Sequence, residues 1–156
     1  MDDWEDELPR LLPLAAAWAR GQSESILRCG TPLDAEGLAR ARRVGVASPE
    51  RVRVLLVRSV PRPEDPTLRS ACARLSLLGP DTAGLTLGYG IYVRRSLCGD
   101  RFLLAHELRH VAQYERYPTI EAYLDVYLRE LVRYGYALAP FEVDADRAAR
   151  ESESMF

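Results

Sequence analysis

The chain has 156 residues, 47% of them hydrophobic, which suffices for one compact domain with a core and argues against a second independent one. Its net charge is −2, and 21 basic residues, all arginine, stand against 23 acidic ones, so no basic field favours nucleic acid. Cys29, Cys72 and Cys98 have no C-x-x-C spacing, the start Asp2 to Glu7 is acidic where a secretory leader is basic, and no apolar run approaches a membrane span; a reduced, cytoplasmic protein without a membrane partner is expected.

Leu8 to Leu27 carries leucine, alanine, Trp18 and Ile26 at helical spacing, with Gly21 as a point of interruption and Gly30 as a stop. Thr31-Pro32 then reads as the start of a second helix, capped by Thr31 and running through Leu38 toward Arg43. Arg51 to Val57 is rich in β-branched residues and reads as a strand. Val60-Pro61-Arg62-Pro63-Glu64-Asp65-Pro66 is a stiff loop, and Thr67 is the expected cap of a short helix through Leu77, ended by Gly79-Pro80. Leu85 to Leu87 and Ile91 to Arg94 flank Gly88-Tyr89-Gly90, giving a hairpin or one bent strand. This front part, 1–83, is expected to bury the back of the helix that follows; the alternative is that it covers a cleft or docks a protein partner.

That helix runs from Phe102 to Tyr114, with Asp100 as N-cap and Pro118 beyond its end. It contains the only two histidines of the chain, in the order His106-Glu107-Leu108-Arg109-His110. One helical turn brings both imidazoles onto one face, where they can share a tetrahedral zinc ion, and Glu107 leans toward the remaining open position. Apolar residues occupy most of its circumference, so the polar trio is expected to be buried and to need partners.

A catalytic zinc takes a third protein ligand, and no histidine remains to supply it. The helix expected from Pro140 places Glu142 and Asp146 on one face; Glu142 is the favoured ligand, with Asp146 accepting the free ring N–H of one histidine. Glu121 with Asp125, Glu115 and Cys98 are the competitors. Mechanistically, zinc would bring a water toward ionisation at neutral pH, Glu107 would take its proton, and a tyrosine hydroxyl or arginine would steady the oxyanion, with Tyr136 preferred. Tyr123 and Tyr127, four residues apart, read as a packing stripe.

His106-Glu107-x-x-His110 followed by Glu142-x-x-x-Asp146 resembles the gluzincin pattern of thermolysin-like zinc metallopeptidases. The run from His106 to Tyr114 also resembles compact bacterial peptidase-like proteins that carry HE-x-x-HV-x-Q. The resemblance spans Gly84 to Ala149 and is specific only at the metal motif. It implies an α+β, mostly helical, minimal zincin-like domain with a small mixed or antiparallel sheet beside the HExxH helix, its metallopeptidase-like core lying in 84–156. It also implies an edge strand before that helix, matched by Leu85 to Arg94, with peptide or protein substrate expected along Gly90 to Arg94. The chain departs from the large enzymes in lacking a histidine for the tetrahedral intermediate, and from metzincins in lacking their glycine and third histidine between Val111 and Arg116. A zinc-dependent peptidase is thus the expected function. The alternative is a non-catalytic metal-binding or interaction module, which has no use for a base at Glu107.

Overall fold

In the computed structural model, which describes residues 3–154, the chain forms six α-helices and four strands among those residues. They run α1 (Trp4–Cys29), β1 (Thr31–Pro32), α2 (Ala35–Arg43), β2 (Arg53–Val57), α3 (Pro66–Arg74), β3 (Gly84–Leu87), β4 (Gly90–Arg94), α4 (Arg101–Tyr114), α5 (Ile120–Tyr134) and α6 (Pro140–Glu153). The fold is α+β, 63% helical with one small mixed sheet. None of the described helices is long and apolar enough to cross a membrane.

Helix α1 is longer than its apolar periodicity indicates, and Gly21 does not interrupt it. Pro9 and Pro13 lie inside it, four residues apart on the exposed side. The carbonyls that lose an N–H partner there can turn to water, which is how an exposed helix face tolerates proline. Two caps differ from expectation. Thr31-Pro32 pairs with β2 instead of opening α2, whose cap is Asp34, accepting from the Gly37 N–H at 2.8 Å. Asp65, not Thr67, caps α3 by accepting from Leu68 N–H at 2.9 Å, with Pro66 at the first helical position.

The strand order is β1-β2-β4-β3. β2 and β4 run parallel, with Val54 opposite Ile91 and Leu56 opposite Val93, whereas β3 returns on β4 as an antiparallel hairpin through Gly88 and Tyr89. Gly88 turns that hairpin at φ +67°, a conformation open to glycine without strain. This order corrects the expected peptide-binding strand. Gly90 to Arg94 is paired on both sides and has no main-chain edge to offer; the edge strands are β1 and β3, and β3 is the one that lies beside α4. The sheet also joins the two parts of the chain, since β2 from 1–83 lies directly beside β4.

Helices cover both sheet faces. On one side Ile91 and Val93 pack with Ala105, Leu108 and Val111 of α4, Ala41 of α2 and Ala149 of α6. On the other, Tyr92 packs with Ile26 of α1, and Gly90 lets α1 approach, because a Cβ there would sit 3.0 Å from Ile26 Cβ. Helix α5 closes over α1 through Ala16, Ala19, Leu87, Tyr123 and Leu124. Leu108 is completely buried under the site, so Leu108→Ala would cost about 2–5 kcal/mol and loosen the helix that carries both histidines.

Candidate metal centre

Two helix starts aim the site. Asp100 accepts from Leu103 N–H at 2.9 Å and begins α4, so His106 and His110 emerge one turn apart. Pro140 begins α6, which places Glu142 in its first turn and Asp146 one turn later. α6 packs along α4, and the two pairs meet.

His106, His110 and Glu142 converge. His110 Nε2 lies 3.1 Å from His106 Nε2 and 3.1 Å from Glu142 Oε2, and His106 Nε2 lies 3.2 Å from Glu142 Oε1. With one ligand atom taken from each residue, all three lie within 4.8 Å of one another, close enough for the three side chains to share one ion. Among the described residues this is the one group of three or more metal-ligating side chains.

The outer hydrogen bonds settle which ring atoms face inward. His106 Nδ1 is 2.8 Å from Asp146 Oδ1, and His110 Nδ1 is 2.8 Å from Gln113 Oε1. Gln113 cannot be turned over, because its Nε2 donates to Phe141 O and Asp144 Oδ2, both at 2.9 Å, while its Oε1 also accepts from Tyr123 at 3.1 Å. Arg109 steadies Asp144 through Nε at 2.8 Å and donates to Val44 O at 2.7 Å. Both Nδ1 atoms therefore donate outward, and both Nε2 lone pairs point at each other and at a carboxylate.

Three acceptors facing one another need positive charge between them. Glu142 is 4% exposed, and its Oε1 is buried without a hydrogen-bond partner among the described residues, as expected of an atom reserved for a cation. Protons are the other way to meet this demand. Burial disfavours charge on His110, but the bond and charge of Glu142 outweigh it and raise the imidazole to about 9. His106 is raised by the same balance. Burial raises Glu142 less than the two histidines lower it, so its carboxyl is held well below the usual carboxylate range. The residues fit a divalent cation bound by two imidazoles and a carboxylate.

Glu107 sits beside this group without joining it. It is buried, and Thr86 holds it from β3 with a hydroxyl 2.6 Å from Oε2 and 3.0 Å from the Glu107 carbonyl oxygen. Gly84 makes room for it: a Cβ there would sit 3.0 Å from Glu107 Oε1. Tyr127 donates to Glu142 Oε2 at 2.9 Å, so the residue read as packing also serves the site. Tyr136 stands at the mouth, half exposed; burial, then the charge and hydrogen bond of Glu142, push its phenol well above the ordinary value.

The competing ligands lie elsewhere. Glu121 faces Arg20 across 3.8 Å, Asp125 accepts from Arg129 at 2.8 Å, and Cys98 is exposed. Glu115 points to the loop after α2, accepting from Ala47 N at 2.8 Å and Ser48 N at 3.0 Å. Sequence reasoning gave Thr86 no role, Tyr127 only packing, and Gln113 nothing beyond its place in the HE-x-x-HV-x-Q run, where a polar residue one turn from His110 was the available signal.

Compared with known proteins, no family model matches the chain, and no curated protein or solved structure matches it. The gluzincin likeness is therefore a likeness of the local sequence motif alone.

Proposed function

We propose that the chain is a zinc-dependent peptidase. The observation that carries the reading is the set His106, His110 and Glu142 converging within 4.8 Å of one another with a separate buried carboxylate, Glu107, alongside. A structural metal site needs ligands but has no use for that additional acid. Bound zinc would supply Lewis acidity, making a water easier to deprotonate and a carbonyl more electrophilic.

The chain's own groups then have defined tasks. Glu107 accepts the proton of the attacking water at its carboxylate and returns it to the leaving amine. Thr86 holds that carboxylate in register, and Asp146 and Gln113 keep both Nε2 atoms turned toward the ion's place. Tyr136 is the donor to the developing oxyanion, since its hydroxyl reaches Glu142 from the open side of the site. The free edge of β3, which borders the cleft, aligns the peptide main chain. Cytoplasmic action agrees with Cys29, Cys72 and Cys98 all being unbridged.

The test pairs metal content with turnover. Native protein should hold about one zinc per chain and hydrolyse unstructured protein, and Glu107→Gln should keep the zinc while losing hydrolysis. Zinc at that stoichiometry with no hydrolysis by the native chain would favour a metal-binding module instead.

A further inference from the structure

One stripe of α5 touches both halves of the metal centre. Tyr123, Tyr127 and Glu130 recur at helical spacing and share a face of that helix. Tyr123 donates at 3.1 Å to Gln113 Oε1, the oxygen that faces His110 Nδ1. Glu130 accepts from Phe141 N–H at 2.8 Å and so holds the first turn of α6. Between them, Tyr127 donates to Glu142 Oε2 at 2.9 Å. The Phe141 ring lies within 10° of parallel to both tyrosine rings, its centroid 5.0 Å from that of Tyr123 and 6.5 Å from that of Tyr127. Rings packed in this way have little freedom to swing, so the Tyr127 hydroxyl keeps its aim.

That bond makes the two oxygens of Glu142 unequal. Oε2 accepts from the phenol, whereas Oε1 is buried with no hydrogen-bond partner among the described residues and stands 3.2 Å from His106 Nε2. A carboxylate can meet a cation through one oxygen or both, and a hydrogen bond on one of them engages lone pairs that the ion would otherwise use. We propose that Tyr127 is a positioning residue that makes Glu142 a one-oxygen ligand, with Oε1 as the donor to the ion. The inference rests on the metal centre of the reading above and adds what governs its third ligand. Two imidazoles and one carboxylate oxygen leave zinc a position for water, and a second carboxylate oxygen would compete for it. Tyr136 also comes to Glu142, but from the exposed mouth, so the two tyrosines can be told apart by substitution.

The test loads metal-free protein with cobalt(II), whose visible absorption is several-fold stronger in fourfold than in higher coordination. Native protein should give the strong spectrum. Tyr127→Phe removes the hydroxyl, frees Oε2 for the ion and should weaken the absorption by at least about twofold. Tyr123→Phe takes a hydroxyl from the same stack without touching Glu142, and Tyr136→Phe takes the one at the mouth; both should keep the native spectrum. X-ray absorption of the native zinc protein should show a single carboxylate oxygen on the metal, and it decides the matter if Tyr127→Phe does not fold. An unchanged spectrum in Tyr127→Phe, an equal fall in either comparison variant, or two carboxylate oxygens on the native zinc would overturn the inference and leave the metal centre standing. A folded Tyr127→Phe protein that takes up no cobalt would overturn it too, since the hydroxyl would then build the site and not choose the oxygen. Native protein that binds neither metal would remove the metal centre and this inference together, whereas a one-oxygen centre without hydrolysis would sink only the peptidase reading.

Discussion

Thr86 and Glu107 are joined across the gap between sheet and metal helix by a 2.6 Å hydrogen bond, and both are buried. The strand that borders the cleft therefore also holds the carboxylate proposed as general base. Thr86→Val keeps the shape and removes the hydroxyl. It should lower kcat about tenfold with KM little changed, at a stability cost of about 1 kcal/mol. Unchanged kcat in steady-state kinetics would show that Glu107 needs no such restraint.

Gly84 approaches the same carboxylate from the strand. A Cβ at this position would lie 3.0 Å from Glu107 Oε1 and 3.2 Å from its Cδ and Cγ, inside normal contact. Gly84→Ala should displace the base while leaving the histidines in place, so zinc content holds and hydrolysis falls by about tenfold or more. Loss of zinc together with activity would mean the damage spreads to the ligands.

Asp146 and Gln113 orient one histidine each, but in different surroundings. The Asp146 side chain is 47% exposed, whereas Gln113 is fully buried. Water can replace Asp146, so Asp146→Ala should weaken zinc about tenfold, and Gln113→Ala closer to about 100-fold. Gln113→Ala should also cost about 2–3 kcal/mol, because the Phe141 carbonyl and Asp144 lose a buried donor. Competition against a zinc-chelating dye and denaturant melts of the metal-free protein measure the two effects; the reverse order of affinities would refute the assignment.

In the proposed centre, zinc and protons would compete for the same place. In metal-free protein His110 is raised to about 9, so near neutrality it carries a proton that zinc must expel, and His106, also raised, adds a fraction of another. Glu142 is held ionised and contributes none. Binding at about pH 7.5 should release one to two protons per zinc, and apparent affinity should climb with pH until His110 is neutral. Calorimetry in buffers of different ionisation enthalpy counts these protons; a count of zero would mean the imidazoles are already bare.

Some of this design was readable along the chain. The four-residue interval from His106 to His110, and from Glu142 to Asp146, is a helical repeat, and the cap Asp100 and the first-turn Pro140 mark where each helix starts. The order of strands was harder. Ile91-Tyr92-Val93 is buried on both faces, and an unbroken apolar run is the mark of a central strand, so that signal existed for β4. Thr86 offered none, because its partner is 21 positions away and nothing in a strand pattern says which helix crosses it.

By itself the sequence determined the local chemistry: two imidazoles on one face, a carboxylate next to them, and a second helix bearing carboxylates, all consequences of a period of about 3.6 residues. Tertiary structure alone decided that Glu142, and not Glu115, Glu121 or Cys98, meets the histidines, that Gln113 and Asp146 turn their rings, and that β3, not β4, is an edge strand. The division has a physical cause. Backbone periodicity acts over a few residues, whereas the approach of α6 to α4 and the pairing of β2 with β4 depend on how distant apolar surfaces bury one another.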